Sequence, residues 1–287
     1  MMRSFFPLVD LRSKGETGNN DKKCYLMLIT GVYIMLQQPT LQQLRELKLP
    51  GMAQALEEQL NQPQSSSLSF EERIAFMLDR EISYRKNRKL QGLIKTAKFR
   101  YQACIEDVDY QHPRSLDKSQ FASLIQCTWI RQKHNIIFEG PTGTGKSWLA
   151  CALGLQACRQ IISVRYFRLP RLLETLRIAH ADGSYADLIS QIAKTQLVVL
   201  DDWGIDILGR EQRNDLLEIL EDRYQQSATI ITTQLPIKKW HEFIGEATIA
   251  DAILDRVVHN AYQIKFDGDS LRRKEGKQLN KNKKTID

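Results

Sequence analysis

From residue 40 onward the apolar positions fall at helical spacing. In TLQQLRELKLPGMAQALEEQLNQ, Leu41, Leu44 and Leu47, then Met52, Ala55 and Leu56, recur every three or four residues, the period of one helix face. Pro50-Gly51 interrupts the run and predicts a turn or a new helix start. The polar stretch QPQSSSLS reads as a linker, and Ser69 with Glu72 three residues on predicts a capping box. A long helix should follow over 70–93, with Ile74, Met77, Leu78 and Ile82 along its apolar stripe. Past DVDYQHPRSLDKSQ the texture changes. NIIFEG, ISVRYFR, LVVLDD, ATIITTQ and YQIKF are short β-rich runs. Helical segments separate them, over 146–160, near 171–179, over 211–226 and within 236–259. This alternation predicts an α/β fold, a mostly parallel sheet covered on both faces. No internal repeat is evident.

Composition changes the picture in three ways. The 287 residues allow one large domain or two modest ones, and 42% apolar content supplies a core. A net charge of +7 and a pI near 9.1 favour a polyanionic partner such as nucleic acid, although so modest an excess also simply aids solubility. The charge is concentrated. Between Arg80 and Arg100 stand eight basic residues against Glu81 alone, with Tyr84, Phe99 and Tyr101 interleaved. Arg85, Lys86, Arg88, Lys89, Lys95, Lys98 and Arg100 are therefore candidate contacts to a DNA phosphate backbone; a solvated helix face is the plainer alternative.

Five scattered cysteines, Cys24, Cys104, Cys127, Cys151 and Cys158, form no CxxC pair. They argue against a disulfide framework or zinc site and fit a reducing cytoplasm. KKCYLMLITGVYIML has an apolar part too short to span a bilayer comfortably and no small-residue cleavage site. The expectation is no membrane partner and a translation start at Met35, with 1–34 a leader. The basic stretch 272–287 is expected to be a flexible tail.

The strongest chemistry lies in GPTGTGKS, which satisfies G-x-x-x-x-G-K-[ST] between a predicted strand and a predicted helix. Gly140, Pro141, Thr142, Gly143, Thr144 and Gly145 would turn backbone N–H groups onto phosphates. Lys146 would reach the β- and γ-phosphates and the Ser147 hydroxyl would ligate Mg2+, with Trp148 beside it in the first helical turn. Later, LVVLDDWG delivers two carboxylates to the carboxyl end of a buried strand, where ligands bind in open α/β sheets. Asp201 is the candidate Mg2+ ligand and Asp202 the group that orients or deprotonates the attacking water. Thr233 and Gln234, ending another strand, face the γ-phosphate or make a plain turn. Arg256 precedes the last strand. It reads equally as a finger for a neighbouring subunit's nucleotide and as a partner of Asp251 or Asp255. Arg272 is a second candidate cation near the nucleotide. The histidines are dispersed and suggest no metal centre beyond Mg2+.

Together with LRELKLPGMAQALEEQL, FEERIAFMLDREISYRKNRKL, LLEILEDRY, ITTQLPIKKWHE and AILDRVVHNAYQI, these motifs resemble the IstB-like ATP-binding family. That family comprises the helper ATPases encoded beside insertion-sequence transposases. It belongs to the AAA+ superfamily and is similar to the helicase loader DnaC. The resemblance implies an AAA+ P-loop NTPase over 116–271, with a parallel five-stranded sheet between helices. A small all-α DNA-binding and assembly domain would precede it over 35–115. It implies ATP and Mg2+ as cofactors, Lys146 and Ser147 as Walker A residues, and Asp201 and Asp202 as Walker B residues. Gln234 becomes the sensor and Arg256 the trans-acting finger. It implies duplex DNA, an IstA-type transposase and further copies of the chain as partners, with a DnaC-like helicase loader as the rival reading. Asp202 departs from the glutamate usual at that position, which implies slow hydrolysis.

Overall fold

The computed structural model describes residues 39–62 and 67–268. The leader, the Met35 start, Arg272 and the basic tail lie outside the described residues. Two compact units divide between Asn87 and Arg88, so the expected boundary at 115–116 falls inside the second.

In the first unit, α1 spans 39–46 and α2 spans Pro50–Asn61. Pro50 does not merely interrupt the helical pattern; it opens α2, where its missing N–H costs nothing. No side chain of the preceding residue caps this helix. Instead the buried Glu81 carboxylate accepts from the Gly51 and Met52 amides at 2.8 and 3.2 Å. Gly51 is required by this approach, since a Cβ there would lie 2.7 Å from Glu81 Cα. Burial works against the Glu81 charge, but Arg85 at 2.6 Å and the two amides outweigh it and lower its pKa. Helix α3, Phe70–Ala97, runs on past the expected end near 93 and into the second unit. Its start carries the expected capping box: Ser69 N donates to Glu72 Oε2 at 2.8 Å, and Glu72 N to Ser69 Oγ at 3.2 Å.

The second unit is built on five parallel strands: β1 Asn135–Glu139, β2 Val164–Arg168, β3 Leu197–Trp203, β4 Ala228–Thr233 and β5 Ala261–Lys265. Their spatial order is β2-β3-β4-β1-β5. Helices α4 Lys118–Ile125, α5 Thr128–Arg131, α6 Lys146–Arg159, α7 Leu169–Asp182, α8 Tyr185–Ala193, α9 Arg210–Arg223, α10 Trp240–Ile244 and α11 Ala247–Val258 complete it. Alternation along each strand feeds two cores. Ile136 and Phe138 pack with α6 on one face, while Ile137 packs with α7, α9 and α11 on the other. The α/β architecture read from the sequence is therefore the one present. Helices α4, α5 and α8 were not expected; each is short, so it shows few turns of periodicity. Asp117 caps α4 by accepting from the Ser119 and Gln120 amides.

At the amino ends of the strands Arg223 is only 2% exposed. Its guanidinium donates to Ile192 O (2.8 Å), Thr195 O (2.7 Å), Ala228 O and Thr229 Oγ1 (3.2 Å). It ties α8, α9 and β4 together at that end. Among the described residues no helix is long and apolar enough to cross a membrane.

Candidate functional site

The site is assembled at the carboxyl ends of β1, β3 and β4. The chain leaves β1 at Glu139, turns through Gly140–Gly145, and enters α6 at Lys146. Gly143 and Gly145 have φ of 88° and 89°, which other residues adopt only under strain. A Cβ at Gly140 would stand 2.5 Å from Phe266 O. Thr144 Oγ1 closes the loop on Pro141 O at 3.0 Å, and Lys146 Nζ donates to Gly140 O and Pro141 O, both at 2.7 Å. Behind the loop the buried Arg114 donates to Thr144 O at 3.2 Å and to Asp109 O at 2.9 Å. Burial lowers its pKa. Arg114 was not anticipated as a brace of this loop; nothing local in HPRSL marks it.

The β3 carboxylates are presented by a local irregularity. The β3–β4 register shifts between Leu200 and Trp203, so Asp201 and Asp202 together face one residue of β4, as in a bulge. Asp202 has φ of 64°, a left-handed conformation that aspartate tolerates better than most side chains. The two carboxylates consequently have different partners, apart from a shared approach to Arg100. Asp201 is fully buried. Its Oδ1 accepts from Ser147 Oγ at 2.6 Å and from Thr232 Oγ1; its Oδ2 accepts from Tyr166 OH. Burial first, and then that bond to Asp201, push the Tyr166 pKa up. Asp202 Oδ2 accepts from Arg168 Nε at 2.7 Å. Arg100 NH1 lies 3.6 Å from Asp201 Oδ2 and 3.8 Å from Asp202 Oδ2.

Asp202 and Ser147 open onto a cavity of about 610 Å³ lined also by the loop, Trp148, Gln234, Arg168, Arg100 and Tyr101, a size suited to a nucleotide. Thr142 Oγ1 and Gln234 Oε1 meet across it at 2.5 Å. Thr233 is different: its hydroxyl donates to Trp203 O and Leu235 O, the strand-end turn already held open as an alternative. The donor pair Ser147 Oγ and Asp201 Oδ1 is all oxygen and converges to 2.6 Å. That chemistry fits a hard cation such as Mg2+.

The remaining residues singled out in the sequence lie elsewhere. Arg256 does not line this cavity. It sits near Asn135 and Asn260 at the other end of the strands, and pairs with Glu221 at 2.5 Å and Ala252 O at 2.8 Å rather than with Asp251 or Asp255. Arg85, Lys86, Arg88, Lys89, Lys95 and Lys98 are exposed along and just after α3. Arg100, grouped with them on sequence grounds, instead reaches the β3 carboxylates. Arg168 is found on Asp202.

Comparison with known proteins agrees with this geometry. Residues 42–279 match the family described as IstB-like ATP binding protein. An insertion-sequence ATP-binding protein of Sinorhizobium fredii, y4pL, is 51% identical over 239 residues, spanning 83% of this chain and 98% of that protein. The ATP-binding protein of insertion sequence IS1162 from Pseudomonas fluorescens is 52% identical over 203 residues, 70% and 88% of the two chains. The crystal structure of DnaI superposes with a TM-score of 0.51 at 18% identity, covering 62% of this chain and 94% of that one; it shares the fold. Motif, topology and sequence agree: this chain belongs to the IstB-like ATP-binding family.

Proposed function

We propose that this chain is an ATP-dependent, DNA-binding helper of transposition. It oligomerises on duplex DNA and presents target DNA to a partner transposase. Nucleotide binding drives assembly, and hydrolysis drives remodelling or release. The observation that carries this reading is that Arg256 lies at the end of the strands opposite the cavity. The cavity has the loop, Asp202 and Gln234, while Arg256 stands at the opposite end, outside its own cavity. A neighbouring copy supplying Arg256 would complete the site only when ATP is bound, which makes ATP a signal for assembly.

Within the site, Lys146 turns from the loop carbonyls to the phosphates, and Ser147 and Asp201 would hold Mg2+. A Mg2+ ion held there would supply charge neutralisation at the terminal phosphates. Gln234 positions the attacking water and Asp202 orients or deprotonates it. Arg168 engages that same carboxylate at 2.7 Å, and aspartate is shorter than the glutamate usual there, so hydrolysis is slow. The exposed basic residues of α3 grip DNA phosphates.

Light scattering or negative-stain microscopy tests the reading. Assembly on duplex DNA should require ATP and should be lost in Lys146→Ala and Arg256→Ala. Equal assembly without ATP, or hydrolysis triggered only by a replicative helicase, would replace it with the loader reading.

A further inference from the structure

We propose that Arg100 belongs to the ATP site, as a positioning residue whose charge balances the β3 carboxylates and sets how strongly nucleotide binding depends on the metal ion. This rests on reading the cavity as a Mg·ATP site, and assigns a residue that the family motifs do not contain.

Three observations fix Arg100 in place. Helix α3 stops at Ala97, and Lys98 takes φ of 54°, which turns the chain toward α6. Phe99 then seats over Gly154 of α6, where a Cβ would come within 2.6 Å of its ring. The backbone amides of Tyr101 and Arg100 face the Cys151 thiol on the same helix, and burial first of all pushes that thiol up to about 11. The guanidinium is thereby delivered to within 3.6 and 3.8 Å of Asp201 and Asp202, with the Tyr101 ring 5.2 Å beneath it.

The electrostatic consequence has two opposite signs. Asp201 and Asp202 bring two negative charges to a site that must accept a polyphosphate. A fixed cation beside them favours the bare polyphosphate. It also weakens the pull of the carboxylates on a second cation. Removing the Arg100 charge should therefore weaken metal-free ATP and tighten the metal's contribution. A residue needed only for packing would weaken both in parallel.

The experiment is equilibrium binding of a fluorescent ATP analogue to the full chain, in EDTA and in excess Mg2+. Wild type, Arg100→Gln and Arg100→Lys are compared, with thermal unfolding as a check on folding. The expected result for Arg100→Gln is a rise of about tenfold in the ratio of the two dissociation constants (metal-free over Mg2+-loaded), with Arg100→Lys close to wild type. An unchanged ratio, whether both affinities fall together or neither moves, overturns the proposal. Failure of wild type to bind the analogue even with Mg2+ would instead overturn the site itself.

Discussion

Replacing Gly154 with alanine sets two effects of known size against each other. Gly154 lies within α6, where alanine is intrinsically favoured by about 0.8–1.0 kcal/mol. The new Cβ, however, would stand 2.6 Å from Phe99 Cε1, 3.0 Å from Phe99 Cζ and 3.5 Å from Val164 Cγ1. Overpacking of this kind costs about 1–3 kcal/mol. The half-buried ring can slide outward, which limits the cost but unseats Phe99. The expected net result is a loss of about 1 kcal/mol. Gly92, in α3, is the internal reference because a Cβ there meets nothing within 4 Å. Gly92→Ala should stabilise by about 0.5–1 kcal/mol. Urea unfolding followed by far-ultraviolet circular dichroism reads both, and the two variants should move the midpoint in opposite directions. Stabilisation of both by similar amounts would mean that Phe99 does not rest on α6. The placement of Arg100 would fall with it.

Three further outcomes are expected. Arg223→Ala should cost about 2–4 kcal/mol in chemical denaturation, because it removes buried donors to Ile192 O, Thr195 O and Ala228 O together. Glu81→Gln should cost about 1 kcal/mol, seen as lost amide exchange protection at Gly51 and Met52, since a charged cap at a helix N-terminus becomes neutral. His180 pairs with Asp215 at 2.9 Å, and that bond raises its pKa. A raised histidine stabilises fully below its unfolded value near pH 6.5 and loses that contribution as pH climbs through the folded value. NMR titration should place His180 above the unfolded value, and Asp215→Asn should reduce the difference, Glu211 and Glu218 still acting on the ring.

The loop, the strand before it and the helix after it were legible because their constraints are local. The glycine spacing answers to φ at Gly143 and Gly145, and Ser69 and Glu72 cap a helix three residues apart. The Asp201-Asp202 pair was legible for a related reason: four apolar β-formers mark a buried strand, and its end is a predictable place. The partners of those carboxylates were not. Arg100 is one of eight basic residues in its stretch, and nothing nearby distinguishes it; its partners lie a hundred residues downstream and meet it only through Phe99 and Gly154. Arg223 is hidden for a similar reason. A lone arginine at a helix end reads as solvated, yet here backbone carbonyls replace the water. Thr232, whose hydroxyl joins Asp201, looks like any other β-branched strand residue.

The strand order also governs when the site can exist during synthesis. β1, which carries the nucleotide loop, is flanked by β4 and β5, and the first residues of those strands are Ala228 and Ala261. At about 5–20 residues per second, the ribosome needs roughly 4–18 s after Glu139 to reach Ala228. Throughout that interval Ile136, Ile137 and Phe138 form an apolar segment with neither neighbouring strand yet made, and β2 and β3, once both are made, can pair with each other before β1 finds a neighbour. ATP therefore cannot assist the early steps of folding. The nascent chain must keep this apolar strand soluble until the sheet is nearly complete.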